Sequence, residues 1–253
     1  MEGLMEVKRN VVIFDLYGTL ADVEVDETSD SAWRAIVDSL SLISRTQLVP
    51  SPAEVAAHFR AECEMLAGQG VDTSITDLAF ARLSQIYCAD FVPGIVQFWS
   101  RCLRRDSLRS LTLRDYTLGV ISDLRAATGN TICLLSNTEA ALTRFDLEYL
   151  GIADLFDLIV LSSDVGRWKP HHEIGIGILK SVGSDPASAV IVGDTPATDG
   201  QLARRLGCPF IFIESEIGDN AEAEALNALV ARPTRESIDR QLLTAGVSVS
   251  VRQ

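Results

Sequence analysis

The sequence predicts an α/β protein: a doubly wound parallel sheet of five core strands with an inserted all-helical unit. Three observations carry that prediction. Short apolar, β-branched runs recur at residues 11–14, 131–135, 158–161, 189–192 and 210–213, each closed by polar or turn-forming residues, as buried strands are. Stretches of helical period separate the last four runs. Residues 15–130 separate the first run from the second, far too many for one crossover helix.

Taken in order, the first run, Val11-Val12-Ile13-Phe14, is apolar at successive positions, so both of its faces need cover. The long interval then reads as helices. Trp33, Ile36, Val37, Leu40 and Ile43 share one helical face. Ser51-Pro52-Ala53-Glu54 supplies an N-cap Ser, an N1 Pro and an N3 Glu ahead of Val55, Phe59 and Leu66. Ile95, Phe98, Trp99, Cys102 and Leu103 form a third apolar stripe. Residues 22–108 are therefore expected to form a helical cap, and residues 1–21 with 109–253 a Rossmann-like core. The competing reading is that these helices extend the main core.

From residue 130 the order is βαβαβαβ, with helical stripes at Leu142, Phe145 and Tyr149, at Ile174, Ile178 and Val182, and at Leu202 and Leu206 before Gly207. Such a pattern predicts right-handed crossovers that place helices on both faces of the sheet. Pro170 is expected to start the second of these helices. Residues 219–245 look helical on either side of Pro233, and 247–251 alternate like a short strand.

The chain has 253 residues, 47% of them apolar, with 17 Gly and 8 Pro, which excludes disordered, fibrous and mini-protein classes. Its net charge of −13 repels phosphate backbones and anionic lipid headgroups. Nucleic acids and membranes are therefore not expected partners; a small molecule is, and the oligomeric state is left open. The cysteines Cys63, Cys88, Cys102, Cys133 and Cys208 are odd in number and contain no C-x-x-C pair, as reduced thiols in a cytosol would be. The N-terminus lacks a basic head followed by an apolar stretch, and no window of the sequence reaches the ~18–20 apolar residues of a membrane span. A cytoplasmic protein is expected.

In an open α/β sheet, ligands bind beyond the carboxyl ends of the strands. The first run is followed by Asp15-Leu16-Tyr17-Gly18-Thr19-Leu20 and the second by Ser136-Asn137-Thr138. The third is followed by Ser162 to Pro170, with Lys169 near its end, and the fourth by Gly193-Asp194-Thr195-Pro196-Ala197-Thr198-Asp199. Each has a bland reading as a cap or turn. Together they place a carboxylate, hydroxyls, an ammonium and an acidic pair along one edge. Two carboxylates spaced as Asp194 and Asp199 are can share a hard cation.

The order of these segments resembles that of the haloacid dehalogenase superfamily of hydrolases. The resemblance covers the whole sheet domain, through residues 14–20, 135–137, 166–170 with Glu173 and Ile174, the linking segment 150–157, and Gly193, Asp194 and Asp199. It implies that Asp15 is a nucleophile forming a covalent aspartyl intermediate. Ser136, Thr19, Asn137 and Lys169 would bind the transferred group, with Lys169 also holding Asp15 ionised. Mg²⁺ would be held by Asp15, Asp194 and the main-chain carbonyl of Tyr17, with Asp199 as a further or water-mediated partner.

The likeness is mixed in one respect. Most phosphatases of the superfamily carry a second Asp two residues after the nucleophile, as acid and base; Tyr17 stands there, and a phenol of pKa about 10 is a poor base at neutral pH. That form is similar to the metal-free 2-haloacid dehalogenases, whose halide leaves without a proton. Gly193, Asp194 and Asp199 retain instead the acidic pair of the metal-dependent phosphatases. Arg34 and Arg45 are candidates for the cap arginine that dehalogenases use, without its surrounding pattern. The expectation is a Mg²⁺-dependent phosphatase for a small phosphorylated metabolite; the alternatives are a dehalogenase or a weakly active, non-catalytic phosphate-binding protein. Trp33 and Arg34 are possible cleft residues, and His58, His171 and His172 have no metal-ligand spacing.

Overall fold

The computed structural model describes residues 10–46, 50–70, 74–90, 92–127 and 129–213. The segments at 219–245 and 247–251 lie outside the described residues. The strands are β1 (Asn10–Phe14), β2 (Ala21–Val25), β3 (Leu108–Leu113), β4 (Asn130–Ser136), β5 (Leu158–Leu161), β6 (Ala189–Gly193) and β7 (Phe210–Phe212). Five of them form one sheet in the order β5-β4-β1-β6-β7, and every pairing within it is parallel. This is the doubly wound sheet that the apolar runs predict, with β1 in the middle.

Side-chain alternation divides that sheet's core in two. On one face Val12 and Phe14 join Ile132, Leu134, Val190 and Val192. They meet Val120, Ile121 and Leu124 of α5 (Thr117–Ala126) and Leu147 of α6 (Ala140–Leu150). On the other, Val11, Ile13, Cys133, Leu135 and Ile191 meet Ile174 and Ile178 of α8 (His172–Ser181) and Leu202 and Leu206 of α9 (Gln201–Leu206). A short α7 (Ser162–Val165) follows β5.

Between β2 and β3 lie α1 (Asp30–Ile43), α2 (Pro52–Gly68), α3 (Ile75–Ile86) and α4 (Ile95–Ser107). They surround a hydrophobic cluster that includes Trp33, Ile36, Phe59, Phe80, Trp99 and Leu103 and shares no residue with either sheet-face cluster. Its aromatic rings pack in a tilted series: the Phe59 and Phe80 centroids are 4.5 Å apart and those of Phe80 and Trp99 are 5.8 Å apart. Trp33 is 1% exposed and donates its indole N–H to the Glu27 carbonyl at 2.8 Å, so it is a core residue. The expected capping box is formed, with Ser51 Oγ accepting from Glu54 N–H and Glu54 accepting from Ser51 N–H.

Several features differ from the sequence reading. β2 and β3 form a two-stranded antiparallel ribbon where no strand is expected; its exposed Asp22, Glu24, Arg109 and Ser110 conceal it from a search for apolar runs. The expected divisions after residues 21 and 108 fall at the first residues of its two strands. Pro170 does not start a helix: α8 begins at His172, with His171 as its N-cap. In α4, Phe98 is exposed. The buried face of α6 is Ala140, Thr143, Asp146 and Leu147 rather than the expected Leu142, Phe145 and Tyr149; Tyr149 is 64% exposed.

Candidate active site

The ends of β1, β4 and β6 converge on one acidic centre. Asp15 directly follows β1, and its N–H donates to the Val192 carbonyl at 2.9 Å, which seats it between β1 and β6. Leu134 pairs with Phe14, so Ser136, buried at the tip of β4, lies beside the Asp15 turn. Lys169 reaches the same point from the segment after α7. Its Nζ donates to Asp15 Oδ1 at 2.7 Å and lies 2.7 Å from Asp199 Oδ1. The ammonium and the Asp199 carboxylate are almost wholly buried.

Asn137 locks Lys169 in place. Its side-chain amide donates to the Lys169 carbonyl at 2.9 Å, and its Oδ1 accepts the Lys169 N–H at 2.7 Å. One N–H and the oxygen of the amide are thus engaged with the Lys169 backbone, so the residue positions the cation. Ser163 Oγ accepts the Ala140 N–H at 2.7 Å and so caps the start of α6.

Of the acidic pair after β6, Asp194 precedes a wide turn at Pro196–Gly200 and Asp199 lies within it. Asp199 Oδ2 accepts the Thr195 N–H at 3.3 Å, and the Thr195 hydroxyl donates to Asp194 Oδ1 at 2.9 Å. One carboxylate oxygen from each of Asp15, Asp194 and Asp199 lies within 4.8 Å of the others. Glycine permits this crowding. A Cβ on Gly18, whose φ is +76°, would lie 2.1 Å from Asp194 Oδ2, and one on Gly193 would lie 2.4 Å from Asp199 Cγ.

Like charges at the 4.8 Å limit of this cluster repel by roughly 3–4 kcal/mol at an effective dielectric constant of about 20. Lys169 offsets one of the three carboxylates. Burial holds the Asp15 carboxyl above the ordinary carboxylate range, Lys169 opposes that shift, and the charge of Asp199 adds to it. The donor set is all oxygen and carries excess negative charge, which fits a hard divalent cation such as Mg²⁺. Thr19 Oγ1 is fully buried and has no hydrogen-bond partner among the described residues.

Tyr17 turns away from this chemistry. Its hydroxyl donates to Asp146 Oδ2, and the Arg104 Nε donates to Asp146 Oδ1 at 2.9 Å and to Oδ2 at 3.0 Å. The Arg104 Nη2 also donates to Tyr17 Oη at 3.2 Å. Burial, reinforced by Asp146, pushes the phenol well above its ordinary pKa. The side chain is therefore neutral and committed to Asp146, which speaks against the phenol as the acid or base at the position where the resemblance would place one. Sequence reasoning missed Arg104 and Asp146. Arg104 sits in the charged run Arg104-Arg105-Asp106, which reads as a solvated helix end. A signal existed in α6, where Thr143, Asp146, Leu147 and Leu150 also have helical spacing.

Arg34 and Arg45 are both exposed, and Arg45 pairs with Asp90. His171 and His172 are exposed, and His58 Nδ1 contacts Tyr87 Oη at 2.7 Å. All five cysteines are free thiols.

The sequence profile of haloacid dehalogenase-like hydrolases matches residues 10–207, a stretch that contains every residue of this site. The chain is a haloacid dehalogenase-like hydrolase. Among relatives of this hydrolase, the pyrimidine 5′-nucleotidase YjjG of Escherichia coli K12 is 40% identical over 83 residues, which are 32% of this chain and 37% of the relative. The chain spans about a third of the length of the first curated relatives it matches. A family enzyme of Bacteroides thetaiotaomicron, solved with magnesium and inorganic phosphate, aligns with a TM-score of 0.52 at 17% identity, over 83% of this hydrolase and 96% of that chain. A 2-haloacid dehalogenase of Pseudomonas syringae pv. tomato aligns with a TM-score of 0.54 at 20% identity, over 81% and 86%. These two likenesses show a shared fold. No described helix of the hydrolase is long and apolar enough to cross a membrane.

Proposed function

We propose that the protein is a Mg²⁺-dependent phosphatase that acts on a small phosphorylated metabolite through an aspartyl phosphate on Asp15. The observation that carries this reading is the cluster of Asp15, Asp194 and Asp199, with one buried ammonium against the first and the last. Asp15, Asp194 and the Tyr17 carbonyl would hold the cation, with Asp199 beside it. When bound, Mg²⁺ offsets the carboxylate charge and polarises a phosphate oxygen.

In the first step a carboxylate oxygen of Asp15 forms a bond to phosphorus while the bond to the ester oxygen breaks, and the leaving oxygen departs as an anion that solvent water then protonates. Water then attacks the aspartyl phosphate, releasing inorganic phosphate and restoring the Asp15 carboxylate. Lys169 favours the ionised form of Asp15 against its burial and screens the negative charge that develops on the phosphoryl oxygens. The unpartnered Thr19 hydroxyl and Ser136 supply donors to those oxygens. A net charge of −13 disfavours nucleic-acid and membrane partners, and the cytosol is the expected compartment.

Tyr17 supports a second reading, metal-free dehalogenation, because a halide needs no proton donor. Against it, three clustered carboxylates would repel a haloacid's own carboxylate, and both candidate arginines for holding that group are exposed. The deciding experiment is a phosphatase screen over a metabolite panel with and without Mg²⁺, run beside a halide-release assay on 2-chloropropionate in chelator. Phosphate release only with Mg²⁺ supports the proposal. Halide release in chelator, with no phosphate release, overturns it.

A further inference from the structure

Three elements meet in one buried polar contact that neither the hydrolytic chemistry nor the acidic cluster uses. Arg104 comes from α4, the last helix before the chain returns to the sheet domain; Asp146 comes from α6; Tyr17 lies in the turn that carries Asp15. The side chains of Arg104 and Asp146 are 7% and 0% exposed. The guanidinium engages both carboxylate oxygens, and the phenol donates to one of them. The Arg104 guanidinium carbon also lies 5.9 Å from the centroid of the Tyr17 ring.

Such a pair is a poor device for mere adhesion between α4 and α6. Taking two charges out of water costs about as much as their attraction returns, and apolar residues of similar volume often hold helices together as well or better. What the pair supplies, and an apolar contact cannot, is a fixed acceptor for the Tyr17 hydroxyl. Tyr17 is in turn bound to the catalytic edge through its backbone: Asp15 lies two residues before it, and Gly18 lies against the Asp194 carboxylate. The Gly18 N–H donates to the Ala21 carbonyl at 2.9 Å, so the turn runs directly into β2, the strand that leads to the helical insertion.

We infer that Arg104 and Asp146 are positioning residues that act through the Tyr17 hydroxyl, holding the Asp15 turn in register with the acidic cluster and tying that register to the seat of α4. The pair touches neither substrate nor the reacting atoms. The helical insertion thus has a direct mechanical link to the nucleophile, made through a side chain at the position where a second carboxylate would otherwise stand. This inference rests on the hydrolase reading of the Asp15 edge for its catalytic consequence and on the geometry alone for its structural one.

The test uses the full-length chain and three variants: Tyr17→Phe, which keeps the ring and the ion pair; Asp146→Asn, which removes the charge; and the double variant. Hydrogen–deuterium exchange of the metal-free protein is followed separately in the turn 15–20 and in α4 and α6. Turnover of p-nitrophenyl phosphate is measured with saturating Mg²⁺ well below each variant's melting temperature. Positioning predicts faster exchange in the turn for both single variants. It also predicts kcat reduced by about tenfold or more with KM little changed, as small displacements of reacting groups produce, and a double variant no worse than the poorer single one.

A purely structural pair would speed exchange in α4 and α6, leave the turn at wild-type protection in Tyr17→Phe, and leave kcat intact; that result overturns the inference. If Asp146→Asn fails to fold, Tyr17→Phe decides alone, because it preserves the pair. If wild type hydrolyses no phosphate ester, the proposed function falls, while the exchange measurement still decides whether the turn depends on Tyr17.

Discussion

Lys169 Nζ lies 2.7 Å from Asp15 Oδ1 although the two residues are 154 positions apart in the chain. The ammonium reaches Asp15 because Asn137 clamps the Lys169 backbone from both sides, so the strength of the nucleophile's environment depends on an amide one strand away. Lys169 also meets Asp199. The carboxylate left over is Asp194, and on it the metal prediction turns.

Asp194→Asn removes one formal charge from a site with few ligands, so Mg²⁺ affinity and turnover should both fall while the fold persists. Isothermal titration with Mg²⁺ and phosphatase rates over a range of Mg²⁺ concentrations check this. Unchanged turnover in the variant, or full wild-type activity in excess chelator, would remove the basis of the phosphatase reading.

Asp15→Asn should abolish turnover and keep inorganic phosphate affinity within about tenfold, since the amide preserves shape and cannot attack phosphorus at a useful rate. Stability should move the other way. The folded Asp15 carboxyl sits above its ordinary value of 3.8, chiefly because of burial. Its protonated form therefore contributes stability that is fully present below that ordinary value and is lost as pH rises through the raised folded value. The metal-free Asn variant should accordingly melt higher than wild type at neutral pH, with the gap closing in acid. Calorimetry in chelator across pH reads it, and a gap that widens in acid contradicts the assigned direction.

Tyr17 donates its proton to a carboxylate paired with Arg104, so it has no proton to give a leaving alkoxide. Rates should therefore depend steeply on the leaving group, with aryl and acyl phosphates cleaved far faster than alkyl phosphates. Tyr17→Asp should raise alkyl-ester rates relative to aryl-ester rates, whatever loss the freed turn imposes on both, because the alkoxide has the greater need of a proton in the transition state. Loss of the ring leaves a cavity and frees Asp146, so folding is monitored with the rates. Similar chemical-step rates for both ester types in wild type, lowered together by the substitution, would show that another group already serves as the acid.

Phe80 is fully buried among Trp33, Phe59 and Trp99. Phe80→Ala should cost about 3–5 kcal/mol of stability in the helical insertion. Urea unfolding followed by tryptophan fluorescence reports on that cluster, since Trp33 and Trp99 lie in it. A loss below about 1 kcal/mol would mean that the ring is not packed as described.

The sequence by itself determined the five-stranded sheet and the edge on which chemistry is placed. Strands such as Val11-Val12-Ile13-Phe14 are buried on both faces, so their apolar character survives in one dimension, and the residue after each is carried to the same edge by parallel topology. Asp15, Ser136 and Asp194 were legible for that reason, and Lys169 and Asp199 through the order of segments that the resemblance carries. The β2–β3 ribbon was not, because its strands alternate with exposed polar residues and its partners are remote in the chain. Asn137 looked like a ligand residue, and only the fold shows its amide engaged with the Lys169 backbone. Arg104 and Asp146 are 42 residues apart, and each alone reads as a solvated charge. Burying a charge is favourable only when its partner is in place, and the partner is supplied by tertiary packing, so α6 turns a face with Asp146 inward and leaves Tyr149 outside.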